Sequence, residues 1–169
     1  MPTKRKVRRI GAVEQSLIDI LVSKIRAYRL FWEMRHQGET KFNDRLMDYL
    51  RQGNDSLPVS NKAIPSILFF GEKFRPEFYL GKGNNKRLCA VECKRFIGKN
   101  VKAGFKAGLT QSLVYCTHYK FVVLVLFDFT KQGLVTTKLG PGNKIESSLA
   151  RQLRKRNNIR IVALRPHDH

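Results

Sequence analysis

The stretch Arg75-Pro76-Glu77-Phe78-Tyr79-Leu80, followed after a short polar break by Leu88-Cys89-Ala90-Val91-Glu92-Cys93-Lys94-Arg95, decides the reading of this chain. Both runs are rich in aromatic and branched residues, and Gly81-Lys82-Gly83-Asn84-Asn85 between them is turn chemistry, so the pair predicts an antiparallel hairpin. Side chains alternate faces along a strand, which puts Glu92 and Lys94 on one face and Val91 and Cys93 on the other. With Glu77 facing the same side, two carboxylates and one ammonium converge, an arrangement that can hold a divalent cation beside a water molecule.

Outward from the hairpin, Ile67 to Phe70 predicts a short strand pairing with Arg75 to Leu80. Apolar residues recur at Leu17, Ile20, Leu21, Ile25, Tyr28 and Phe31 or Trp32, which predicts one long amphipathic helix over 13–35. A second helix is expected from Thr40 to Gln52, with Phe42, Leu46, Tyr49 and Leu50 on one face, stopped by Gly53-Asn54-Asp55. Beyond the hairpin, Leu109, Leu113 and Cys116 or Thr117 mark a helix over 103–118 that crosses the sheet. Phe121 to Phe127 is an almost continuous apolar run, the pattern of a central strand covered on both faces and ended by Asp128. Residues 129–143, with Gly133, Gly140, Pro141 and Gly142, read as an exposed excursion. A basic helix from Ile145 to Arg156 and a strand from Ile159 to Leu164 complete a mixed α/β layer fold.

The chain has 169 residues, enough for one domain with a real core, and 33 basic against 13 acidic residues leave a formal charge of +20. The basic residues run along the whole chain, so the expected partner is a polyanion, DNA or RNA. Residues 1–12 read as a basic N-terminal arm, carrying Lys4, Arg5, Lys6, Arg8 and Arg9, and residues 13–169 as a single domain. Cys89, Cys93 and Cys116 form no Cys-x-x-Cys pair and read as reduced packing residues. His36, His118, His167 and His169 are too scattered for a zinc pattern. No secretory signal or membrane-spanning apolar run is visible, so no membrane association is expected, and the protein is expected to be intracellular, cytoplasmic or nucleoid-associated.

Pro76-Glu77, then fourteen residues, then Glu92-Cys93-Lys94 resembles the signature of the PD-(D/E)XK nuclease superfamily, with Glu77 in place of the usual Asp. Gln111-Ser112-Leu113-Val114-Tyr115 resembles the Gln-x-x-x-Tyr element of its RecB-like members. Glu-x-Lys alone is common; its place at the end of a hairpin, after Pro-Glu and before a helix, is far more specific. The resemblance covers about residues 39–128. It implies a restriction-endonuclease-like fold, a mixed β-sheet flanked by helices with an α-β-β-β-α-β core, an extra N-terminal helix and a C-terminal helix-strand. It also implies a divalent-metal-dependent endonuclease acting on DNA, with junction, flap or strand processing and mobile-element or recombination systems as settings.

In that chemistry Glu77 and Glu92 supply hard oxygen ligands for Mg²⁺, with Mn²⁺ as a substitute, and the carbonyl of Cys93 adds a ligand. Lys94 orients or deprotonates the attacking water, or neutralises charge on the phosphate; the sequence leaves these roles open. A further helix carboxylate is expected at Glu39, with Glu14 as the rival. Gln111 and Tyr115, four apart on one helix face, are expected to contact the nucleic-acid backbone or the lysine. Lys99, Lys102 and Lys106, with Arg151, Arg154, Lys155 and Arg156, are the candidate phosphate contacts. A homodimer would place two sites on two strands. The alternatives are a non-catalytic nucleic-acid-binding module on the same fold and an RNA-directed nuclease.

Overall fold

Every position of β6 (Phe121–Asp128) is buried, as its apolar run requires of a strand covered on both faces. It lies between β5 (Cys89–Phe96) and β7 (Ile159–Leu164) and is parallel to both. β4 (Phe78–Leu80) pairs antiparallel with β5, which is the predicted hairpin, and β1 (Val59–Ser60) pairs with β4 at the sheet edge. The result is a mixed α/β architecture around a five-stranded sheet in the order β1-β4-β5-β6-β7. The computed structural model describes residues 11–81, 88–140 and 142–167; the predicted basic arm except Gly11 and Ala12, most of the predicted Gly81 to Asn85 turn and His169 lie outside them, and Ala12 already belongs to the first helix.

The sheet is covered on both faces. α1 (Ala12–Ala27) and α2 (Glu39–Arg51) pack on the odd-numbered side chains of β5 and β6, among them Cys89, Val91, Cys93, Val123, Val125 and Phe127. Phe42, Leu46, Met47 and Leu50 are the buried stripe of α2, and the Phe42 ring sits 5.1 Å from Phe127 and 5.4 Å from Phe129. On the opposite face lie α3 (Val101–Tyr115), α4 (Leu134–Leu139) and α5 (Lys144–Asn157), covering Ala90, Val122, Leu124, Leu126 and Ile159. Among the described residues no helix is long and apolar enough to cross a membrane.

Three expectations are corrected. The long opening helix ends at Ala27: Tyr28 turns extended, and a 3-10 turn follows over Trp32–His36. The break lets Leu30 and Met34 bury while Trp32 meets Phe129 edge-on at 6.2 Å, contacts that a continued helix would have aimed elsewhere. Ile67 to Phe70 does not pair with the Arg75 to Leu80 strand. Instead β2 (Ile67–Phe69) folds back on β3 (Glu72–Phe74) as a separate ribbon, with β1 taking the place beside β4. Phe70 and Gly71 carry φ of 50° and 80°, the backbone of a two-residue hairpin turn, and Pro76 has no N–H with which to extend β4 backward.

The third correction concerns residues 129–143, which are not a fully exposed excursion: Phe129, Thr130 and Val135 are buried and α4 lies there. The cause is Asp128. Its wholly buried carboxylate accepts from Thr130 N (3.1 Å) and Oγ1 (2.6 Å), Val135 N (2.9 Å), and Thr136 N (2.8 Å) and Oγ1 (3.1 Å). One carboxylate thus satisfies the donors at the start of α4 and ties that helix to the end of β6. Asp128→Ala should lower the stability by about 3 kcal/mol in urea titrations, because several buried donors lose their acceptor together. A loss below about 1 kcal/mol would show that α4 is held by its apolar contacts alone.

Candidate active site

Glu92 sits on the α3 face of β5, deep in the sheet, with only 1% of its surface exposed. A lone carboxylate there would be unfavourable, and two groups compensate. Tyr115, on the last turn of α3, donates its hydroxyl to Glu92 Oε2 at 3.1 Å. Lys94, two residues along the same strand face, places Nζ 2.7 Å from Glu92 Oε1. At that distance the ammonium compensates the buried charge directly. The stem of Lys94 runs under α3 at Gly108, where even a Cβ would come within 3.0 Å of Lys94 Cγ and of Leu124. Gly108 is therefore the position that lets lysine and helix share the space.

The second carboxylate comes from the chain just before β4. Glu77 donates its backbone N–H to the Val91 carbonyl at 3.1 Å, and its Oε2 accepts from Asn43 Nδ2 of α2 at 2.7 Å. Glu39, at the first turn of α2, accepts from the backbone N–H of Arg95 at 3.2 Å through Oε1. The Arg95 guanidinium in turn donates to the carbonyls of Arg35, at 3.0 Å, and Gln37, fastening the chain ahead of α2 to the end of β5. Of the two helix carboxylates considered it is thus Glu39, bonded to the residue after Lys94, that lies on this side of the molecule. Glu14 is on α1, bonded to the Gly11 N–H and paired with Lys120.

The electrostatics follow from this crowding. Burial pushes Glu92 up to about 7, against the pull of Lys94, with Glu77 adding to the rise. Glu77 is raised as well, first by burial, with Lys94 opposing and Glu39 reinforcing the shift. Burial alone would depress Lys94, but Glu92, Glu39 and Glu77 together hold its ammonium above the ordinary lysine value. Lys94 is therefore a fixed positive charge at neutral pH, suited to orienting a water or stabilising an anion rather than to taking a proton. Tyr115 is raised, by burial and then by Glu92, and remains a neutral donor.

Several expected site residues take other positions. Tyr115 is wholly buried, which corrects its expected contact with nucleic acid: it orients Glu92. The Cys93 side chain points into the α1/α2 core, and burial followed by the nearby Glu92, Glu77 and Glu39 keeps its thiol protonated, so only its carbonyl can face a ligand. Gln111 is one turn before Tyr115, and its Oε1 is buried without a donor.

Lys99, just ahead of α3, and Lys102 and Lys106, in its first half, are exposed beyond the carboxyl end of β5. Lys99 and Lys131 line a recess of about 500 Å³ with Ile97, Gly98 and Thr130. Arg151, Arg154, Lys155 and Arg156 are exposed too, but the end of α5 lies at the opposite pole: Arg154 lines a recess with Phe121, Asn158 and Arg160 at the amino ends of β6 and β7. The α5 cluster is thus set apart from the carboxylates. Sequence reasoning missed Asn43, Arg95 and Gly108. Asn43 had a signal, since it stands one helical turn after Glu39 on the face turned to the sheet.

Among the described residues no three His, Cys, Asp or Glu side chains form a group able to enclose a metal ion by themselves. The buried side-chain oxygens without a hydrogen-bond donor among those residues are Gln37 Oε1, Asn43 Oδ1, Glu92 Oε1 and Gln111 Oε1. Glu92 Oε1 among them faces the Lys94 ammonium at 2.7 Å. Mg²⁺ commonly takes one or two carboxylates and fills its remaining positions with water and phosphate oxygen, a requirement that Glu77 and Glu92 could meet as a pair. No protein-family model, curated protein or solved structure matches this chain.

A pH test isolates Glu92. A carboxyl whose folded pKa lies above its unfolded value binds its proton more tightly when folded, so stability is greatest in acid and falls as pH rises from about 4.5 to about 7. In EDTA, Glu92→Gln should flatten that fall and exceed the parent at pH 8 by about 1–3 kcal/mol; Glu77 would leave a smaller residual slope of the same sign. Equal slopes in parent and variant would show that Glu92 does not carry the buried charge.

Proposed function

We propose that this protein is a divalent-metal-dependent nuclease that hydrolyses phosphodiester bonds of DNA. The observation that carries the reading is the buried Glu92 carboxylate, held by Tyr115 at 3.1 Å and Lys94 at 2.7 Å, with Glu77 entering the neighbouring strand beside it and fixed by Asn43. Catalytic sites are where burial and neighbouring charges are arranged to raise a carboxyl in this way. The resemblance of Pro76-Glu77 and Glu92-Cys93-Lys94 to the PD-(D/E)XK signature supports the same reading, as does the charge of +20.

Glu77 and Glu92 would hold the ion, with the Cys93 carbonyl between Glu92 and Lys94 as a further oxygen. A bound Mg²⁺ supplies polarisation of the phosphate and a more acidic water. The chain's own residues do the rest. Tyr115 and Asn43 fix the two carboxylates, so that they need not reorganise as charge develops. Lys94, held beside Glu92, would orient the attacking water or stabilise charge on the phosphate. Lys99, Lys102, Lys106 and Lys131 would neutralise flanking phosphates, and a homodimer would address both strands of a duplex.

A second reading has one observation in its favour. Lys94 lies 2.7 Å from Glu92 and already compensates its charge, so the same fold could bind nucleic acid without cutting it. Lys94→Ala separates the two. For a nuclease, cleavage of branched, single-stranded or duplex DNA in Mg²⁺ or Mn²⁺ should fall at least about 100-fold while binding in EDTA stays within about threefold. Undiminished cleavage would remove Lys94 from the mechanism, and a parent that binds but never cuts would establish the binding module.

Metal linkage gives an independent check. Mn²⁺ at about a hundredfold over its dissociation constant should stabilise the parent by about 2.7 kcal/mol, visible as a rise in Tm, and Glu92→Gln should abolish the rise. A parent whose melting is indifferent to Mn²⁺ and Mg²⁺, with and without DNA, has no metal site at the carboxylates.

A further inference from the structure

The β2–β3 ribbon ends in three exposed apolar side chains: Leu68, 68% exposed, Phe69, 47%, and Phe70, 92%. The exposure is accompanied by a backbone anomaly. Phe70 has φ of 50° and is followed by Gly71 at 80°, so a bulky aromatic occupies the turn position that favours Asn, Asp or Gly. Asn-Gly would make the same turn with less strain and without placing an aromatic ring in water. A strained residue whose side chain is turned outward is a sign of selection for something outside the fold.

The surroundings indicate what the ring meets. Lys62, Lys73 and Arg75 are exposed around the ribbon, against Glu72 as the one acid in residues 56–76. Lys73 stands directly opposite Leu68, and Arg75, at the ribbon's base, is two positions before Glu77, which links the ribbon to the carboxylates. The three side chains offer roughly 400 Å² of apolar surface, about half of what one partner contributes to a stable protein interface. The Phe69 and Phe70 rings meet edge to face at 4.7 Å, so one ring stands out from the other as a narrow slab. A narrow apolar slab ringed by cations matches the gap opened between two stacked bases, with phosphates on either side.

The geometry points to Phe70 as a wedge that inserts between adjacent bases of DNA and unstacks them, with Leu68 and Phe69 supporting it. This rests on the reading of the protein as a DNA-acting nuclease and adds how the substrate is deformed. Phe70 and Glu77 are seven positions apart, a Cα–Cα reach of at most about 24 Å, so the opened step would fall within roughly seven base pairs of the carboxylates. Preference would then go to DNA that is already easy to open, such as a branch point or a flexible pyrimidine–purine step.

The test is a three-way DNA junction carrying 2-aminopurine at successive positions, titrated with protein in EDTA so that nothing is cut. The parent and Lys94→Ala should brighten one or two adjacent positions. Phe70→Ala and Phe70→Asn should bind the junction within about threefold of the parent, through the same phosphate contacts, yet brighten none. Phe70→Trp should restore the signal, and Phe70→Asn should raise Tm because it relieves the turn. Brightening by Phe70→Ala equal to the parent's, or a lowered Tm in Phe70→Asn, would overturn the wedge. So would a Phe70→Ala defect confined to binding phosphatidylcholine/phosphatidylserine vesicles or to self-association, which would give the tip to a membrane or a second copy. A parent that brightens the DNA but never cleaves it leaves the wedge standing and removes the nuclease reading; a parent that binds no DNA removes both.

Discussion

A carboxylate buried within a β-sheet is the constraint around which this molecule is arranged. Glu92 is placed there by the strand alternation that also sends Cys93 into the opposite core, and its position can be kept only if neighbouring segments supply compensation. α3 supplies it twice, by ending with Tyr115 at the carboxylate and by carrying Gly108 where the Lys94 stem must pass. The parallel pairing of β5 with β6 requires a crossover, and that crossover is the helix that brings both features. Fold and site are therefore set by the same connection.

The pairing of the carboxylates is equally a matter of topology. Because β4 runs antiparallel to β5, the residue entering β4 meets the later part of β5, and Glu77 arrives beside the Glu92–Lys94 face from a different segment. α2 then reaches over the end of these strands from the other face, presenting Glu39 and Asn43 one turn apart. Cationic side chains collect at two poles: those on α3 lie over the carboxyl end of β5, and those at the end of α5 lie at the amino ends of β6 and β7.

Much of this was legible in the sequence because it depends on short periods. The hairpin, the buried run at Phe121, the shared face of Glu92 and Lys94, and the crossing helix follow from alternation and helical spacing. What was not legible depends on contacts between distant residues. The break after Ala27 occurs because Leu30 and Met34 are drawn to the core, and no local signal marks Tyr28 as a stop. The ribbon was misassigned because Phe-Gly is a poor turn signal compared with Asn-Gly, although the backbone adopts the same turn. Residues 129–143 looked irregular because their order comes from one buried acid, Asp128, rather than from periodicity. Tyr115 was placed on the correct helix face, but its burial depends on how closely α3 lies against β5.

The Arg95 clamp has a consequence for when this centre comes into being. Its backbone N–H is bonded to a residue 56 positions away, and its guanidinium to carbonyls 58 and 60 positions away; Asn43 and Glu77 are 34 apart. Contacts of such long loop length form only after the chain entropy of closing them has been overcome, and so they belong to the last stages of folding. A partly folded chain holds the same acidic and basic residues but not their convergence. The cluster is in this sense complete only when the N-terminal helices have docked on the sheet.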